Sequence, residues 1–496
     1  MTDDKSYDPP MEEIRIAVMG NVDAGKSSLL GVLKSGTLDD GRGSARKHIF
    51  KHPHEMETGR TSSVSHHYLK TDGWRSEEVT SPEPNKILTF VDLAGHEKYL
   101  KTTLYGVSGS SVSYIMLMIS AVDGVIGTTK EHLEIALALR IPMFIVFTKM
   151  DQAEDKDKIL EDNLQYLEEL IVRKKKRKLY PIKDISEVQK MPRAILNEKS
   201  KVIPLFKISN KTGLGIELIR TFLSTLPEVV DYRLLRNPST NKTLMTIQDA
   251  YNVSGIGLVV YGVVTRGTVR ISETPKDTIL LGPINGEFKP VMVRSIHDNY
   301  KKQITQLPAG CSGCLAIKPT GKDIITRKQL QKQKGMVIST EVIKIQFFKA
   351  MVQIIHHPTT IKIGYEPTVH CGTVFQTARI ESITKLDKHT RVPILVEESD
   401  PAYEDSKLLR AGDLAEVTFK FLHHLEFIES GSTIFFREGE TKGLGKITEV
   451  MPEKLEPFSN RPGRRQNRGK RRIRKKRNRG TAKAPPVTVN TATAAT

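Results

Sequence analysis

The sequence predicts an α/β domain with a phosphate-binding loop, followed by two β-barrel domains and a disordered basic C-terminal tail. Over the first 230 residues, short apolar runs alternate with amphipathic helical segments, as in open, largely parallel α/β sheets. From about Thr243 the pattern changes to β-branched runs interrupted by glycine, and a second such series begins near Val342, which is typical of β-barrels. We therefore expect domains at residues 11–232, 241–336, 340–452 and 453–496, the last being the tail.

Length and composition agree with several globular domains. At roughly 150 residues per domain, 496 residues suggest about three folded units. The longest apolar stretches, Tyr114–Val122 and Ile141–Phe147, are far shorter than the roughly 20 residues of a membrane helix. The polar start MTDDKSYDPP lacks the apolar core of a secretory signal. We expect a monomeric, cytoplasmic protein with no membrane segment.

Five apolar runs in the first domain are predicted to be buried strands, with amphipathic helices among them. The predicted strands are Ile14–Met19, Ile87–Val91, Tyr114–Ala121, Met143–Phe147 and Val202–Lys207. The predicted helical segments are Ser28–Lys34, Glu131–Arg140 and Ile216–Thr225. Ligands of such sheets bind at the carboxyl ends of the strands. The motif residues that follow the strands should therefore converge on one site.

A phosphate-binding loop follows the first predicted strand. The residues GNVDAGKS match G-x-x-x-x-G-K-[ST] in the strand-to-helix setting that the motif requires. Backbone N–H groups and the helix N-terminus can point at phosphates, Lys26 supplies positive charge to the β and γ oxygens, and Ser27 can bind Mg²⁺. The motif predicts a nucleoside triphosphate without identifying its base. The predicted contacts are Gly20, Asn21, Val22, Asp23, Ala24, Gly25, Lys26, Ser27 and Ser28.

A second motif, DLAGH, stands at the end of the next predicted strand. Asp92 can hold Mg²⁺ through water, and the N–H of Gly95 can meet the γ-phosphate. A D-x-x-G sequence is usually a simple turn, but at this interval after a phosphate-binding loop it favours a γ-phosphate sensor. His96 is then placed to position the attacking water, with a surface histidine as the alternative.

Two further motifs indicate which base is bound. After the strand Met143–Phe147 come Thr148, Lys149 and Asp151, whose carboxylate can accept both the N1–H and the exocyclic amine of guanine, two donors that adenine does not present together. This motif predicts GTP rather than ATP. After the strand Val202–Lys207 come Ser209, Asn210 and Lys211, where a backbone N–H would meet the guanine carbonyl.

The cysteines and clustered histidines are interpreted as structural. Cys311 and Cys314 form a CSGC run without a second Cys or His pair to complete a zinc site, which favours a turn over a redox or metal role. His356, His357 and His370 fall in separate strand-end sequences, HHP and HCG. Packing and hydrogen bonding are therefore favoured over a metal site.

Two basic segments suggest a polyanionic partner. Residues 461–483 contain thirteen Lys and Arg and no acid, which is most of the formal net charge of +19. Too few apolar residues are present there to offset the entropy of folding, which predicts disorder. The charge density of residues 461–480 favours contact with RNA, with a nuclear address or an acidic membrane surface as alternatives. The run RKKKRK at residues 173–178 is interpreted as a solvated helix end, with RNA contact as its alternative.

Taken together, these motifs resemble the translational GTPases related to elongation factor Tu, whose pattern is G-x-V-D-x-G-K-[ST], D-x-x-G-H and N-K-x-D followed by two β-barrels. A closer resemblance is to the GTP-binding protein one subfamily. It covers residues 11 to about 450 and includes the stretches LDDGRG, HEMETGRTSSVS, VSGIGLVVYGVV, IHHPTTI, GYEPTVHCG and FFREGETKGLGKI. The resemblance implies an α/β P-loop GTPase domain followed by two β-barrels, with switch segments between roughly Gly36 and Ser65 that reorder with GTP.

The resemblance also assigns roles that the residues alone leave open. It makes Thr61, rather than Ser62 or Ser63, the threonine that closes on Mg²⁺ and the γ-phosphate. It makes Val22 one side of an apolar gate before His96. It gives Asp23 as a ligand for a monovalent cation.

The sequence departs from the family pattern at two positions. Thr148 replaces the usual asparagine, so the amide that ties the base-binding loop is missing and base affinity is expected to fall. Ser27 replaces a threonine and keeps its hydroxyl ligand.

The function expected from this combination is GTP hydrolysis with Mg²⁺ on the ribosome, together with aminoacyl-tRNA. Lys26, Thr61 and His96 are the expected catalytic residues; the expected Mg²⁺ ligands are Ser27, Thr61 and, through water, Asp92. An RNA-surveillance or messenger-turnover adaptor that uses GTP as a switch is the alternative. A metabolic GTPase, such as that of sulfate activation, would leave the basic tail unexplained.

Overall fold

The computed structural model of the chain describes most of the three predicted domains. The described residues are 12–50, 64–71, 86–93, 95, 107, 109–139, 141–152, 157–174, 177–197, 201–230, 235, 242–274, 276–320, 325–332, 334–388, 390–394, 396–397, 399–400, 403–439 and 441–458. The basic part of the predicted tail lies outside these residues, and its disorder stays a prediction. Within the described ranges, no helix is both long and apolar enough to cross a membrane.

The first domain contains a seven-stranded sheet in the order β2-β3-β1-β4-β5-β7-β6. All neighbouring strands are parallel except β2 and β3, which are antiparallel. The strands are β1 (Glu12–Gly20), β2 (Ser65–Lys70), β3 (Lys86–Asp92), β4 (Tyr114–Ser120), β5 (Met143–Thr148), β6 (Lys178–Pro181) and β7 (Val202–Lys207). The five predicted strands are present, and the edge strands β2 and β6 are additional.

Helices cover both faces of this sheet. They are α1 (Lys26–Ser35), α2 (Thr128–Leu139), α3 (Asp157–Leu167), α4 (Ile185–Leu196) and α5 (Ile216–Thr225), with a π-helix at Glu168–Lys174 and 3₁₀ turns at Ser44–His48 and Met150–Gln152. Successive strand residues point to opposite faces. Along β4, Tyr114 and Met116 pack in the core with α1, α4 and α5, whereas Ile115 and Leu117 pack in the core with α2 and α3.

The first barrel closes through six strands in the order β11-β16-β8-β9-β15-β12, with β12 pairing back to β11. Its strands are β8 (Leu244–Val253), β9 (Gly257–Arg266), β10 (Thr268–Arg270), β11 (Ile279–Ile284), β12 (Glu287–His297), β13 (Gln303–Ile304), β14 (Gln306–Pro308), β15 (Ser312–Pro319) and β16 (Val337–Ser339), with helix α6 (Arg327–Lys332) before β16. Strand β16 lies between the two predicted barrel ranges.

The second barrel also closes through six strands, in the order β17-β20-β19-β18-β21-β22, with β17 pairing to both β20 and β22. Its strands are β17 (Phe347–His356), β18 (Thr368–Cys371), β19 (Val374–Leu386), β20 (Leu414–Phe421), β21 (Thr433–Glu438) and β22 (Thr441–Met451), with helix α7 (Tyr403–Ser406) before β20. The two barrels confirm the predicted change from α/β to all-β structure.

The cysteines and histidines of the barrels have structural surroundings. Cys311 and Cys371 are buried free thiols, and Cys314 is a half-buried free thiol on β15. His370 packs edge-on against Phe375 with ring centroids 4.8 Å apart. His357 Nδ1 lies 2.6 Å from the Thr441 hydroxyl. The predicted packing and hydrogen bonding of these two histidines are therefore confirmed.

The first barrel contacts the α/β domain through buried charged side chains on β1. Arg15 Nη1 donates to the carbonyl of Gly310 at 2.9 Å, and a carboxylate oxygen of Glu13 accepts from the backbone N–H of Ser312 at 2.7 Å. Both charged side chains are almost completely buried, and they form an ion pair at 3.3 Å. Breaking a buried pair of this kind is costly, which favours a defined position of the barrel against β1.

The second barrel contacts helix α2. Ile135 packs against Phe435 of β21, and Lys442 Nζ lies 3.4 Å from Glu131 Oε1. The helix therefore connects the α/β sheet with the second barrel.

Candidate nucleotide-binding site

The phosphate-binding loop connects β1 to α1 at the carboxyl end of the sheet. Lys26 begins α1, and its Nζ donates to the carbonyl oxygens of Gly20 at 3.1 Å and Asn21 at 2.6 Å. Burial lowers the pKa of Lys26 to about 8, and the negative charges of Asp92 and Asp23 oppose this shift. A nearby anion favours the charged form of a buried ammonium group, so this arrangement is suited to phosphate.

Oxygen ligands suitable for Mg²⁺ lie beside this lysine. Ser27 Oγ, in the first turn of α1, lies 3.1 Å from Asp92 Oδ2 at the end of β3, and Asp92 is buried. Mg²⁺ prefers oxygen ligands and usually binds through one or two protein groups together with waters and phosphates. Among the described residues there is no cluster of three or more His, Cys, Asp or Glu that could hold a metal. A hydroxyl and a carboxylate fit an ion that takes its remaining ligands from phosphates and waters.

Gly95 lies directly against the phosphate-binding loop. An ideal Cβ at this position would be 2.5 Å from Lys26 Nζ and 2.6 Å from the carbonyl carbon of Asn21, so only glycine fits without displacement. The Thr128 hydroxyl, at the start of α2, lies 2.8 Å from the carbonyl oxygen of Gly95 and 3.0 Å from Asn21 Oδ1. Thr128 therefore connects α2 to both phosphate-binding segments.

His132, one turn further along α2, forms a hydrogen bond with the first residue of the phosphate-binding loop. The backbone N–H of Gly20 donates to His132 Nδ1 at 3.1 Å. Burial, with a smaller effect of the positive charge of Lys26, lowers the pKa of His132 to about 3. The imidazole is consequently neutral near pH 7, as an acceptor at Nδ1 requires.

Thr148 connects the base-binding loop to the phosphate-binding loop. This fully buried residue at the end of β5 donates from its hydroxyl to the carbonyl of Ala24 at 3.0 Å. The expectation that the base-binding loop lacks a hydrogen bond to the rest of the site was therefore incomplete, because the Thr148 hydroxyl supplies one in place of the absent amide. Lys149, which follows with a left-handed φ of 59°, lies 3.9 Å from Asp123.

The two base-binding segments meet at Asp151. Ser209 Oγ donates to Asp151 Oδ1 at 2.6 Å and accepts from the backbone N–H groups of Lys211 and Thr212 at 3.2 and 3.1 Å. These bonds hold the carboxylate in a fixed orientation beside the segment of residues 209–211. The segment Ser209–Lys211 was predicted for its backbone N–H. Its Ser209 side chain also orients the Asp151 carboxylate.

The structure brings together most of the predicted site residues and describes all but two of them. Ala24 is buried, while Asn21, Val22, Gly25 and Ser28 are half-buried. Asp23 is exposed, with a left-handed φ of 59°. Two predicted catalytic residues, Thr61 and His96, lie outside the described residues, so their roles stay predictions.

Sequence reasoning did not identify three residues that shape this site: Asp39, Thr128 and His132. The last two lie about a hundred positions from the loop they contact. His132 is in a segment predicted only for its amphipathic pattern, and Thr128 precedes the predicted segment. Asp39 belongs to the LDDGRG stretch, which was noted for its resemblance to a family and not for its chemistry.

Comparison with known proteins agrees with this geometry. The profile described as "Elongation factor Tu GTP binding domain" matches residues 11–235. GTP-binding protein 1 of Xenopus laevis is 36% identical over 457 residues, which cover 88% of this chain and 64% of that protein. Human GTP-binding protein 2 is 34% identical over 454 residues, which cover 88% of this chain and 69% of that protein. The chain thus spans about two thirds of the length of these relatives.

Among solved structures, a bacterial elongation factor has a similar fold. The crystal structure of the bacterial selenocysteine-specific elongation factor EF-Sec superposes with a TM-score of 0.59 at 19% sequence identity, over 90% of this chain and 60% of that one. At this identity, the likeness concerns the fold.

Proposed function

Because the chain belongs to the elongation-factor-Tu-type GTPases, a family that binds and hydrolyses GTP, we propose that it hydrolyses GTP with Mg²⁺ on the ribosome together with aminoacyl-tRNA. The observation that carries this proposal is the convergence of Lys26, the Ser27–Asp92 pair and the Ser209–Asp151 pair at one edge of the sheet. Two closed barrels then provide further surface for a large RNA partner.

The described residues divide into those that bind phosphate and those that bind base. Lys26 and the backbone N–H groups at the start of α1 neutralise the β- and γ-phosphates. Gly95, held by Thr128 against the loop, presents its N–H towards the γ-phosphate. Asp151 accepts the N1–H and amino group of guanine while Ser209 keeps one carboxylate oxygen oriented.

Ser27 and, through water, Asp92 are the described residues that would hold Mg²⁺. The ion, when bound, neutralises charge that develops on the phosphates. We extend the family resemblance to three further roles: Thr61 closes on the γ-phosphate, His96 orients the attacking water, and Asp23 binds a monovalent cation. The position of Asp23 within the phosphate-binding loop, where its side chain is exposed, supports the last role.

The basic tail favours a partner rich in phosphate. The thirteen Lys and Arg of residues 461–483 would add RNA affinity to that of the folded domains. We place the protein in the cytoplasm, with nuclear access through the same tail. The tail also favours a second candidate function, that of an RNA-surveillance or messenger-turnover adaptor in which GTP acts mainly as a switch.

Cosedimentation and copurification distinguish these functions. The full chain, loaded with a non-hydrolysable GTP analogue, should sediment with ribosomes in the presence of aminoacyl-tRNA and should be released when loaded with GDP. Recovery of a nuclease complex without charged tRNA, and nucleotide-independent sedimentation, would instead favour the adaptor.

A further inference from the structure

Residues 37–45, which comprise the loop after α1 and the first two residues of the 3₁₀ turn, contact the base-binding segment. They contain the LDDGRG stretch. The backbone N–H of Asp39 donates to the carbonyl of Asn210 at 2.9 Å, although the two residues are far apart in the chain. Two side chains, those of Leu38 and Lys211, lie close to glycines on either side of this bond. An ideal Cβ on Gly213 would lie 3.4 Å from Leu38 Cδ1, and one on Gly41 would lie 3.4 Å from Lys211 Cδ.

The carboxylate of Asp39 holds the shape of this loop. Asp39 is 9% exposed, and its two oxygens accept three backbone N–H groups: Gly41 at 3.0 Å, Gly43 at 3.2 Å and Ala45 at 2.9 Å. Gly41 and Gly43 have φ values of 83° and 88°, a conformation that side chains disfavour. One buried side chain therefore satisfies the amides of a tightly curved loop.

The loop is anchored at its other end on α1. A Cβ on Gly31 of α1 would overlap the carbonyl oxygen of Ala45, so helix and loop are in direct backbone contact. Since α1 begins at the phosphate-binding loop, residues 37–45 connect the phosphate-binding element with the segment at 209–213. Asn210 itself also reaches the phosphate-binding loop, with its Nδ2 3.6 Å from an ideal Cβ on Gly25.

We propose that Asp39 is a positioning residue for the base-binding segment, and that the loop it organises slows the release of guanine nucleotide. The inference rests on the proposed binding of GTP and GDP. For guanine to leave, the segment beside Asp151 must move away from the base. That movement requires loss of the Asp39–Asn210 hydrogen bond and separation of Gly213 from the neighbouring Leu38 side chain. Asp39 acts through Asn210 and does not touch the reacting phosphates.

Asp40 offers a matched control. It is the next residue, it carries the same charge, and its Oδ1 also accepts two backbone N–H groups, those of Arg42 at 2.8 Å and Ser44 at 3.2 Å. Its side chain is exposed, and none of its described hydrogen bonds reaches residues 209–213. Removal of the Asp40 carboxylate therefore reproduces the charge change and the loss of two local hydrogen bonds.

The test is release of a fluorescent GDP analogue from the full-length protein, chased with excess GDP in a stopped-flow instrument. Asp39→Ala removes the acceptor of three backbone N–H groups and should accelerate release by about tenfold, the order of magnitude of one or two net hydrogen-bond contributions. Asp39→Asn, which keeps one of the two acceptor oxygens, should give a smaller increase, and Asp40→Ala should stay within about twofold of the unsubstituted protein.

The readout distinguishes positioning from simple damage to the fold. A merely destabilised variant would lose binding amplitude, while its folded molecules would release nucleotide at the original rate. Should Asp39→Ala fail to fold, Leu38→Ala, which uncovers Gly213 but leaves the carboxylate in place, must still accelerate release. Equal release rates for Asp39→Ala and Asp40→Ala, or for Leu38→Ala and the unsubstituted protein, would overturn the inference while leaving GTP binding intact. Failure of the unsubstituted chain to bind the analogue would overturn the proposed function as well.

Discussion

Thr148 shows how one hydroxyl can connect two parts of a nucleotide site. It lies at the end of β5 with its side chain completely buried, and it bonds to the carbonyl of Ala24 at 3.0 Å. The carbonyl of Ile119 is a second, more distant acceptor at 3.4 Å. When a buried carbonyl loses a side-chain donor, the loss of stability exceeds the contribution of that hydrogen bond, because the acceptor is left unsatisfied. The orientation of the base-binding loop should therefore depend on this hydroxyl.

We expect Thr148→Val, which keeps the side-chain shape but removes the hydroxyl, to weaken GDP and GTP binding by about 2- to 12-fold, because one buried hydrogen bond contributes about 0.5–1.5 kcal/mol. Thr148→Ser keeps the donor and should bind nearly as well as the unsubstituted protein. Equilibrium titration with a fluorescent GDP analogue measures both variants. Equal affinity for the valine and serine variants would show that the bond to Ala24 does not influence the base-binding loop.

The residues that could be predicted are those whose roles follow from short, ordered spacings. Lys26, Asp92 and Asp151 each stand just after a strand, and the parallel sheet brings such positions to one edge. Asp39 and Thr128 could not be predicted, because their partners, Asn210 and Gly95, are selected by packing between elements far apart in sequence. Periodicity indicates which helix face is buried but does not specify the contact at a given position.

At the scale of elements, the predicted strands are the most buried ones of the sheet. Strands β4 and β5 read as continuous apolar runs because helices cover both of their faces. The edge strands β2 and β6 have the sequences SHHYLK and KLYP, which are polar or short because one edge pairs with no strand in the described sheet. Their existence depends on the neighbouring strand, so the local sequence alone did not indicate them.

The basic run at residues 173–178 was interpreted as a helix end, and its first two residues, Arg173 and Lys174, end the π-helix. Lys178 instead begins β6. An RNA contact of this run stays a prediction.

The segment between β20 and β21 contains a buried carboxylate. Glu426 is fully buried, its Oε1 accepts from Gln376 Nε2 at 2.7 Å, and His424 Nε2 lies 2.9 Å from the same oxygen. Its Oε2 has no hydrogen-bond partner among the described residues and lies 2.7 Å from an ideal Cβ on Gly335. Burial raises the pKa of Glu426, although the bonds from His424 and Gln376 oppose the shift.

A carboxyl group whose pKa is raised by folding favours the folded state at low pH, and this contribution is lost as pH rises through the raised value. Glu426→Gln should keep the folded state from losing stability as pH rises, since the amide stays neutral. A buried group without a partner costs about 1–3 kcal/mol, and about 1 kcal/mol corresponds to about 2–4 °C for 150–250 residues. At the lower end of this cost, about 1 kcal/mol, we expect Glu426→Gln to raise Tm by about 2–4 °C near pH 7.5 and to leave it unchanged near pH 4.

Thermal unfolding followed across this pH range tests the prediction. Glu449→Gln, on an exposed residue that pairs with Lys349 at the barrel surface, is the matched control and should show little effect. A Tm difference for Glu426→Gln that does not grow with pH would contradict the assignment of a raised pKa.

At the scale of the whole molecule, the charge is concentrated beyond the folded domains. Truncation after Asn460 removes the thirteen basic residues of 461–483. Each phosphate contact that is lost should reduce the slope of log K against log salt by about 0.7–0.9. The full chain should therefore bind RNA or ribosomes with a steeper salt dependence than the truncated form, while GTP turnover without ribosomes should not change. Parallel slopes would contradict an RNA contact by the tail and favour a nuclear address or another acidic partner.

The domain order could be predicted because composition changes along the chain, but the contacts between domains could not. Glu13 and Arg15 lie in β1, whose other residues are mostly apolar and buried. Their side chains nevertheless bond to Ser312 and Gly310 of the first barrel. In the sequence they are only two charges within an apolar run. Such positions become interpretable when the partner domain is known.

The most direct test of the central claim is GTP turnover by the full-length protein, with and without purified ribosomes and aminoacyl-tRNA. Turnover alone should be slow, because the sequence supplies no arginine in the catalytic position, and a partner that completes a GTPase site accelerates hydrolysis on the order of 10³-fold or more. His96→Ala should keep nucleotide binding and lose the stimulation, since the imidazole acts on water in the transition state. Equal turnover with and without ribosomes and charged tRNA would contradict the proposed function.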